Sequence, residues 1–304
     1  MSPVLRQSLL TGCFLLGSFL SAAAQEQSSA PASAPAVEPA PPAPSPAAVP
    51  PPPASGPTLP AVSPEPLPPK HVPWSFDGPF GTFDRGSLQR GFQVYKDVCS
   101  ACHALNHIAF RNLAERGGPE FTPEQVRALA ASYRVPAEPN QQGQTVDAMG
   151  QPLTRPAAPA DTYPPPFPNE QASRAANNGA LPPDLSLVVK ARDGHSDYVY
   201  SILTGFGQQP PNNEKIGAGR FYNPYFRGHQ IAMPPPLMDG SVMYADGTMA
   251  TVDQEARDVV TFLTWASEPK MEERKRMGFN VMIFLLAFTT LLYFSYHRVW
   301  RGKH

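Results

Sequence analysis

The stretch Val94–Phe110, VYKDVCSACHALNHIAF, sets Cys99 and Cys102 three residues apart with His103 directly after them. The 304-residue chain holds only three cysteines, and the third, Cys13, lies far upstream. Three chemistries use such a pair in an exported protein: dithiol exchange, half of a zinc site, or covalent haem. Zinc asks for four ligands, hence a second close pair. The remaining histidines (His71, His107, His195, His229, His297 and His304) offer none at short spacing. A thiol oxidoreductase carries its pair at the start of a helix within a βαβ unit, whereas here a helical pattern comes first. Two thiols on one turn can bond to the two vinyl groups of a porphyrin, and the next residue then lies under the iron. His103 fills that place, so the motif reads as one covalent haem c with His103 as proximal ligand.

The flanking pattern sets the fold class. Upstream, Leu88, Phe92, Tyr95 and the Val98–Cys99 pair recur every three or four residues, which predicts an amphipathic helix ending at the haem turn. A second helix is predicted over Val252–Ala266, opened by Thr251 and Gln254 as a capping box and stopped by Glu268 and Pro269. The expectation is an all-α domain of the class I cytochrome c type, with long loops around the haem. Between the helices, Val135–Gln171 is rich in Pro, Gln and Asn and reads as a long surface loop near partner subunits.

Iron in such a site takes a ligand on its second face or keeps that face open. His107 lies four residues after His103 and, if a helix continues, projects from the same side. It is set aside as a packing or surface residue. Met233 stands in HQIAMPPPL, where three prolines fix φ and stiffen the segment, so a thioether there can be held against iron with little freedom. His229 is the main alternative. Met149, Met238, Met243 and Met249 lie in ordinary loop contexts and read as gap-fillers. A His/Met pair closes the iron and favours electron transfer over gas or substrate binding.

Both ends of the chain address a membrane. Residues 1–24 combine one charge, Arg6, with an apolar run and the small residues of SAAAQ, and read as a cleaved export signal that takes Cys13 with it. The rival, a lipoprotein box at LTGC, would need its apolar run before Cys13, not after. Residues 25–73 form a tether: Pro31–Pro69 alone holds 17 prolines in 39 residues. Residues 74–270 are the expected haem domain. Met277–Tyr296 carries no charge over 20 residues, enough for a helix to span the roughly 30 Å hydrocarbon layer in contact with lipid. Basic residues flank it on both sides, so the export signal decides orientation. The body is expected in the periplasm, on a bacterial inner membrane, with residues 297–304 in the cytoplasm. Residues 71–270 hold 16 Lys and Arg against 20 Asp and Glu, a weakly acidic surface suited to steering a basic protein. Nucleic acid is not an expected partner.

Six blocks in order, RGFQVYKDVCSACH, RAANNGALPPDLS, DYVYSILTGF, YNPYFRGHQIAMPPPL, DVVTFLTWASEP and RKRMG, resemble the cytochrome c1 family, from about Trp74 to Trp300. The proline-rich tract lies outside that resemblance, and MPPPL is a small variant on the family's wording. The resemblance implies a haem subunit of a cytochrome bc1 complex that has cytochrome b and a Rieske iron–sulfur protein as partners. It would receive single electrons from the Rieske domain and pass them to a cytochrome c. It also implies that Cys99 and Cys102 hold the haem and that His103 and Met233 are its axial ligands. Asn177, Pro182 and Pro183 would line the pocket, Arg192 would lie near a haem propionate, and Tyr198 would stand behind these groups. Quinol oxidation would belong to the partner subunits. A stand-alone membrane-anchored c-type cytochrome is the alternative.

Overall fold

The structure is a computed structural model that describes residues 65–211 and 215–303. The expected export signal and the expected tether up to residue 64 lie outside the described residues. What is described is mostly helical, with two short antiparallel ladders beside the helices.

Helix α1 spans Arg85–Asp97 and is opened by Asp84, whose carboxylate accepts the Ser87 N–H at 2.6 Å. Its expected stripe buries Leu88, Phe92 and Tyr95, with Val98 and Cys99 half-buried at its end, and Val94 is buried beside it. The stripe packs on α5, Val252–Ser267. The two helices cross at Gly91, where an added Cβ would lie 2.0 Å from the Asp258 carbonyl oxygen. Only a residue without a side chain permits that approach. Around the crossing Phe92, Tyr95, Phe110, Tyr163, Phe262 and Trp265 form one aromatic core. Burying each such ring contributes on the order of 1.5–3 kcal/mol. The crossing also carries charge: Arg90 grips fully buried Asp258 through two bonds of 2.8 and 3.1 Å and reaches Asp246 at 2.9 Å.

The predicted capping box of α5 is half made. Thr251 Oγ1 accepts the Gln254 N–H at 3.2 Å, but the Gln254 side chain turns forward to Asp258 at 3.0 Å. The complete box sits on α2, Pro123–Ala131, where Thr122 and Gln125 exchange both bonds.

Val135–Gln171 is not one structureless loop. Strands β1, Arg134–Pro136, and β2, Thr154–Pro156, pair antiparallel, and turns fastened by Asn140 and Asp147 fill the space between them. Proline and asparagine at these positions are turn residues of an ordered hairpin. Helices α3, Glu170–Ala176, and α4, His195–Leu203, follow. A second ladder joins β3, Phe221–Tyr222, to β4, Gln230–Ile231. Residues 65–73, expected to belong to the tether, lie along the folded body instead, with Val72 buried and the Lys70 N–H donating to Ser201 Oγ at 2.7 Å. Proline density marked an extended chain there, and an extended chain can still be hydrogen-bonded in place.

Helix α6, Met271–Trp300, runs through the expected apolar span without a break. Its foot is fastened to the domain. Glu272 accepts from the Phe83 N–H at 2.8 Å and from both Arg85 Nη atoms at 2.9 and 2.8 Å, while Lys275 Nζ donates to the carbonyls of Phe76 and Gly81. From Met277 to Trp300 every side chain is exposed. Among the described residues this is the one helix long and apolar enough to cross a membrane.

Candidate haem site

Helix α1 delivers its last turn into a 3-10 turn at Cys99–Ala101. The Cys99 carbonyl accepts the N–H of Cys102 at 3.1 Å and of His103 at 2.9 Å, which draws all three motif residues onto one tight turn. Both thiols are free, Cys99 half-buried and Cys102 exposed. Burial, and then the neighbouring Cys102, push the Cys99 thiol up to about 12. Exchange chemistry needs the opposite, a depressed thiol, so this turn is poorly suited to a redox dithiol.

His103 is held from behind. Its Nδ1–H donates to the Pro183 carbonyl at 2.8 Å. A carbonyl can only accept, so the ring carries its proton on Nδ1 and keeps the Nε2 lone pair for a metal. Burial lowers the His103 pKa, with the Pro183 bond acting against it, which keeps the ring neutral as ligation requires. The loop containing Pro183 is laced to the motif loop by further bonds: Leu185 N–H to the Ala104 carbonyl at 2.9 Å, Asn106 N–H to Asp184 at 3.0 Å, and His107 N–H to Ser186 Oγ at 3.1 Å. Asp184 also accepts from the Ser186 N–H at 2.6 Å. The donor set, two thiols on one turn and an imidazole with Nε2 free, fits a covalent haem.

Of the other expected site residues, Pro183 rather than Pro182 supplies the carbonyl to His103. Asn177 closes α3, its Nδ2 donating to the Ser173 carbonyl at 2.7 Å, and the left-handed pair Asn178 and Gly179 then turns the chain toward the prolines. Arg192 is exposed on the turn before α4 and forms no ion pair among the described residues. It lies near half-buried Tyr198, whose hydroxyl burial pushes up while the Arg192 charge pulls it down. Met233 is half-buried two residues past β4, with Leu237 buried at the far side of the three prolines. His229 is buried and its Nε2 is engaged by the Glu65 carbonyl at 3.1 Å. His107 is exposed on a turn, and the chain between it and His103 is not helical, so the two do not share a helical face. Met149, Met238, Met243 and Met249 are surface residues at 70–89% exposure rather than gap-fillers.

Sequence reasoning missed Asp184, Arg90 and Gly91. Asp184 stood in LPPDLS, where Asp two before Ser is an ordinary turn signal. Arg90 and Gly91 left no mark, because their roles depend on which residue faces them across the crossing.

A tight thiol–thiol–imidazole turn at the end of one helix, braced by a second loop and carried beside an anchoring helix, defines a membrane-anchored c-type cytochrome. The sequence matches the cytochrome C1 family over residues 74–303. This chain belongs to that family; it is an electron-transport protein, and its cofactor is covalently bound haem c. It is 50% identical over 249 residues to a cytochrome b/c1 of Bradyrhizobium diazoefficiens, covering 76% of this chain and 35% of that protein. The chain thus spans about a third of that relative's length. It is 47% identical to the mitochondrial cytochrome c1 haem protein of Saccharomyces cerevisiae, over 76% of this chain and 73% of the yeast one. With a cytochrome c1 of Rhodospirillum rubrum the identity is 44%, over 76% and 87%.

Proposed function

We propose that this chain is the haem-bearing subunit of a cytochrome bc1 complex, taking single electrons from a Rieske iron–sulfur subunit and delivering them to a soluble or membrane-tethered cytochrome c. Cys99 and Cys102 would hold the haem through two thioether links, and His103 Nε2 and the Met233 sulfur would be its iron ligands. Bound there, haem c supplies a one-electron couple. The observation that carries this reading is the Nδ1–H bond from His103 to Pro183, which fixes tautomer and ring orientation as ligating histidines require.

Met233 is favoured over His229 because the three prolines after it limit its freedom. A thioether ligand raises the potential relative to a second imidazole or an open face, as suits a late carrier. Asn177, Pro182, Arg192 and Tyr198 would frame the remaining pocket. In this reading the domain is of the class I cytochrome c type and lies in the periplasm, with α6 crossing the inner membrane once and the tail in the cytoplasm. Quinol chemistry then belongs to cytochrome b and the Rieske subunit.

A reduced-minus-oxidised spectrum of tagged chain, extracted from its native membrane in mild detergent, tests the proposal. Haem c together with haem b is the expected result. Haem c alone would point to a stand-alone anchored carrier, and absence of haem c would sink the assignment of Cys99, Cys102 and His103. In the same preparation Met233→Leu is expected to lower the haem c potential without loss of haem.

A further inference from the structure

The arm Glu65–Lys70 crosses the segment that leads into Met233. Leu67 N–H donates to the Pro224 carbonyl at 2.9 Å, and Lys70 lies over the Tyr225 ring at 5.3 Å while its Nζ bonds Thr204 Oγ1 at 2.7 Å. The arm's outer end is taken by His229, whose Nε2–H donates to the Glu65 carbonyl at 3.1 Å. The turn between β3 and β4 is also pinned from inside, by buried Asn223 donating to the Ile202 carbonyl at 2.8 Å.

His229 sits in this turn at two local costs. Its φ is +57°, a region that residues with a side chain seldom adopt. With Nε2 protonated toward Glu65, its Nδ1 is a buried acceptor with no partner among the described residues. A residue chosen for the turn alone would be glycine or asparagine. One chosen for packing alone would bring no unpaired nitrogen inside. What the imidazole adds is reach to the arm, and local costs of this kind persist where the surrounding structure over-determines a residue.

The link to the haem side is short. His229 is followed by β4, held in register by Tyr222 opposite Gln230 and Phe221 opposite Ile231. Only Ala232 then separates the ladder from Met233, and three prolines follow. We infer that the arm is a strap that steadies the Met233 limb of the haem pocket, with His229 as the positioning residue where strap and limb are joined. The inference rests on Met233 as the iron ligand. Loss of the His229–Glu65 bond leaves the limb free to swing, so the sulfur leaves the iron more often. A hydrogen bond of ordinary strength corresponds to about fivefold in that opening equilibrium.

The test is an imidazole titration of the oxidised protein in its purified membrane complex, with the sulfur-to-iron charge-transfer band followed alongside. His229→Asn keeps a residue that tolerates the left-handed turn but is too short to reach Glu65, and Lys70→Met loosens the strap at its other end. Both variants are expected to retain full haem c, to show a weaker band and to bind imidazole about fivefold more tightly than the parent. Unchanged imidazole affinity with only a lower thermal midpoint would overturn the strap. If His229→Asn fails to accumulate, Lys70→Met decides by the same readings. A parent that shows no sulfur band and takes imidazole freely would instead remove Met233 as ligand, a result distinct from failure of the strap.

Discussion

Gly91 of α1 rests directly on the backbone of Asp258 in α5, so closely that a Cβ would stand 2.0 Å from the Asp258 carbonyl oxygen and 2.8 Å from the Phe262 Cβ. The Cys99–Ala101 turn begins eight residues later, just past the end of the same helix. Gly91→Ala would favour an isolated helix by about 1 kcal/mol. Neither the Asp258 backbone nor the Phe262 Cβ is a flexible tip, so the helices must separate, and a net loss of about 1–3 kcal/mol is expected. Thermal unfolding of the purified protein checks this; stabilisation would mean that the crossing gives way more easily than its geometry indicates.

Arg90, one residue earlier, anchors the same crossing electrostatically. Asp258 is fully buried, and its two bonds from Arg90 offset the cost of removing a carboxylate from water. Arg90→Met strands that charge and is expected to cost about 3–5 kcal/mol. Pairing it with Asp258→Leu removes the stranded charge and should recover most of the loss. Denaturant midpoints of the two single variants and the double variant close the cycle.

How much of this was legible beforehand follows from the range over which each feature is encoded. The Cys99–His103 turn, the helices α1 and α5 and the apolar span of α6 are written in local spacing, and each element lies within a few residues of its expected place. The brace behind His103 spans 80 residues, and periodicity carries no information over that distance; Pro183 came from the family resemblance and its carbonyl only from the structure. Gly91 and Arg90 were invisible for the same reason. The hairpin hidden in Val135–Gln171 failed for another: three-residue strands rich in proline carry no alternation to detect.

Asp184 ties the two loops of the haem turn together by accepting the Asn106 N–H at 3.0 Å and the Ser186 N–H at 2.6 Å. Asp184→Ala leaves both donors without this partner, water can take its place at exposed Asn106, and a cost of about 0.5–1.5 kcal/mol is expected. The loss should concentrate where the loops meet. Amide hydrogen exchange is therefore expected to rise across Ala104–His107 and Asp184–Ser186 while α5 stays protected, and uniform acceleration would contradict a local brace.

Acid sensitivity should be set partly by the turn that follows β2. Asp161 accepts two bonds from Arg155, at 2.6 and 2.8 Å, and the Ala158 N–H at 2.7 Å, and its carboxyl is held at about 2, below the ordinary 3.8. The Arg155 bond is the leading cause. A depressed carboxyl binds protons more readily in the unfolded chain, so its stabilisation is complete above pH 3.8 and disappears as pH falls toward 2. Asp246, held at about 2 chiefly by the Thr248 N–H and then by Arg90, acts in the same window and with the same sign. Asp161→Asn is therefore expected to lower stability at neutral pH and to flatten the fall between about pH 4 and 2, with the Asp246 share remaining. Unfolding midpoints across that range measure the slope directly; an unaltered slope in the variant would show that the Asp161 carboxylate plays no part in it.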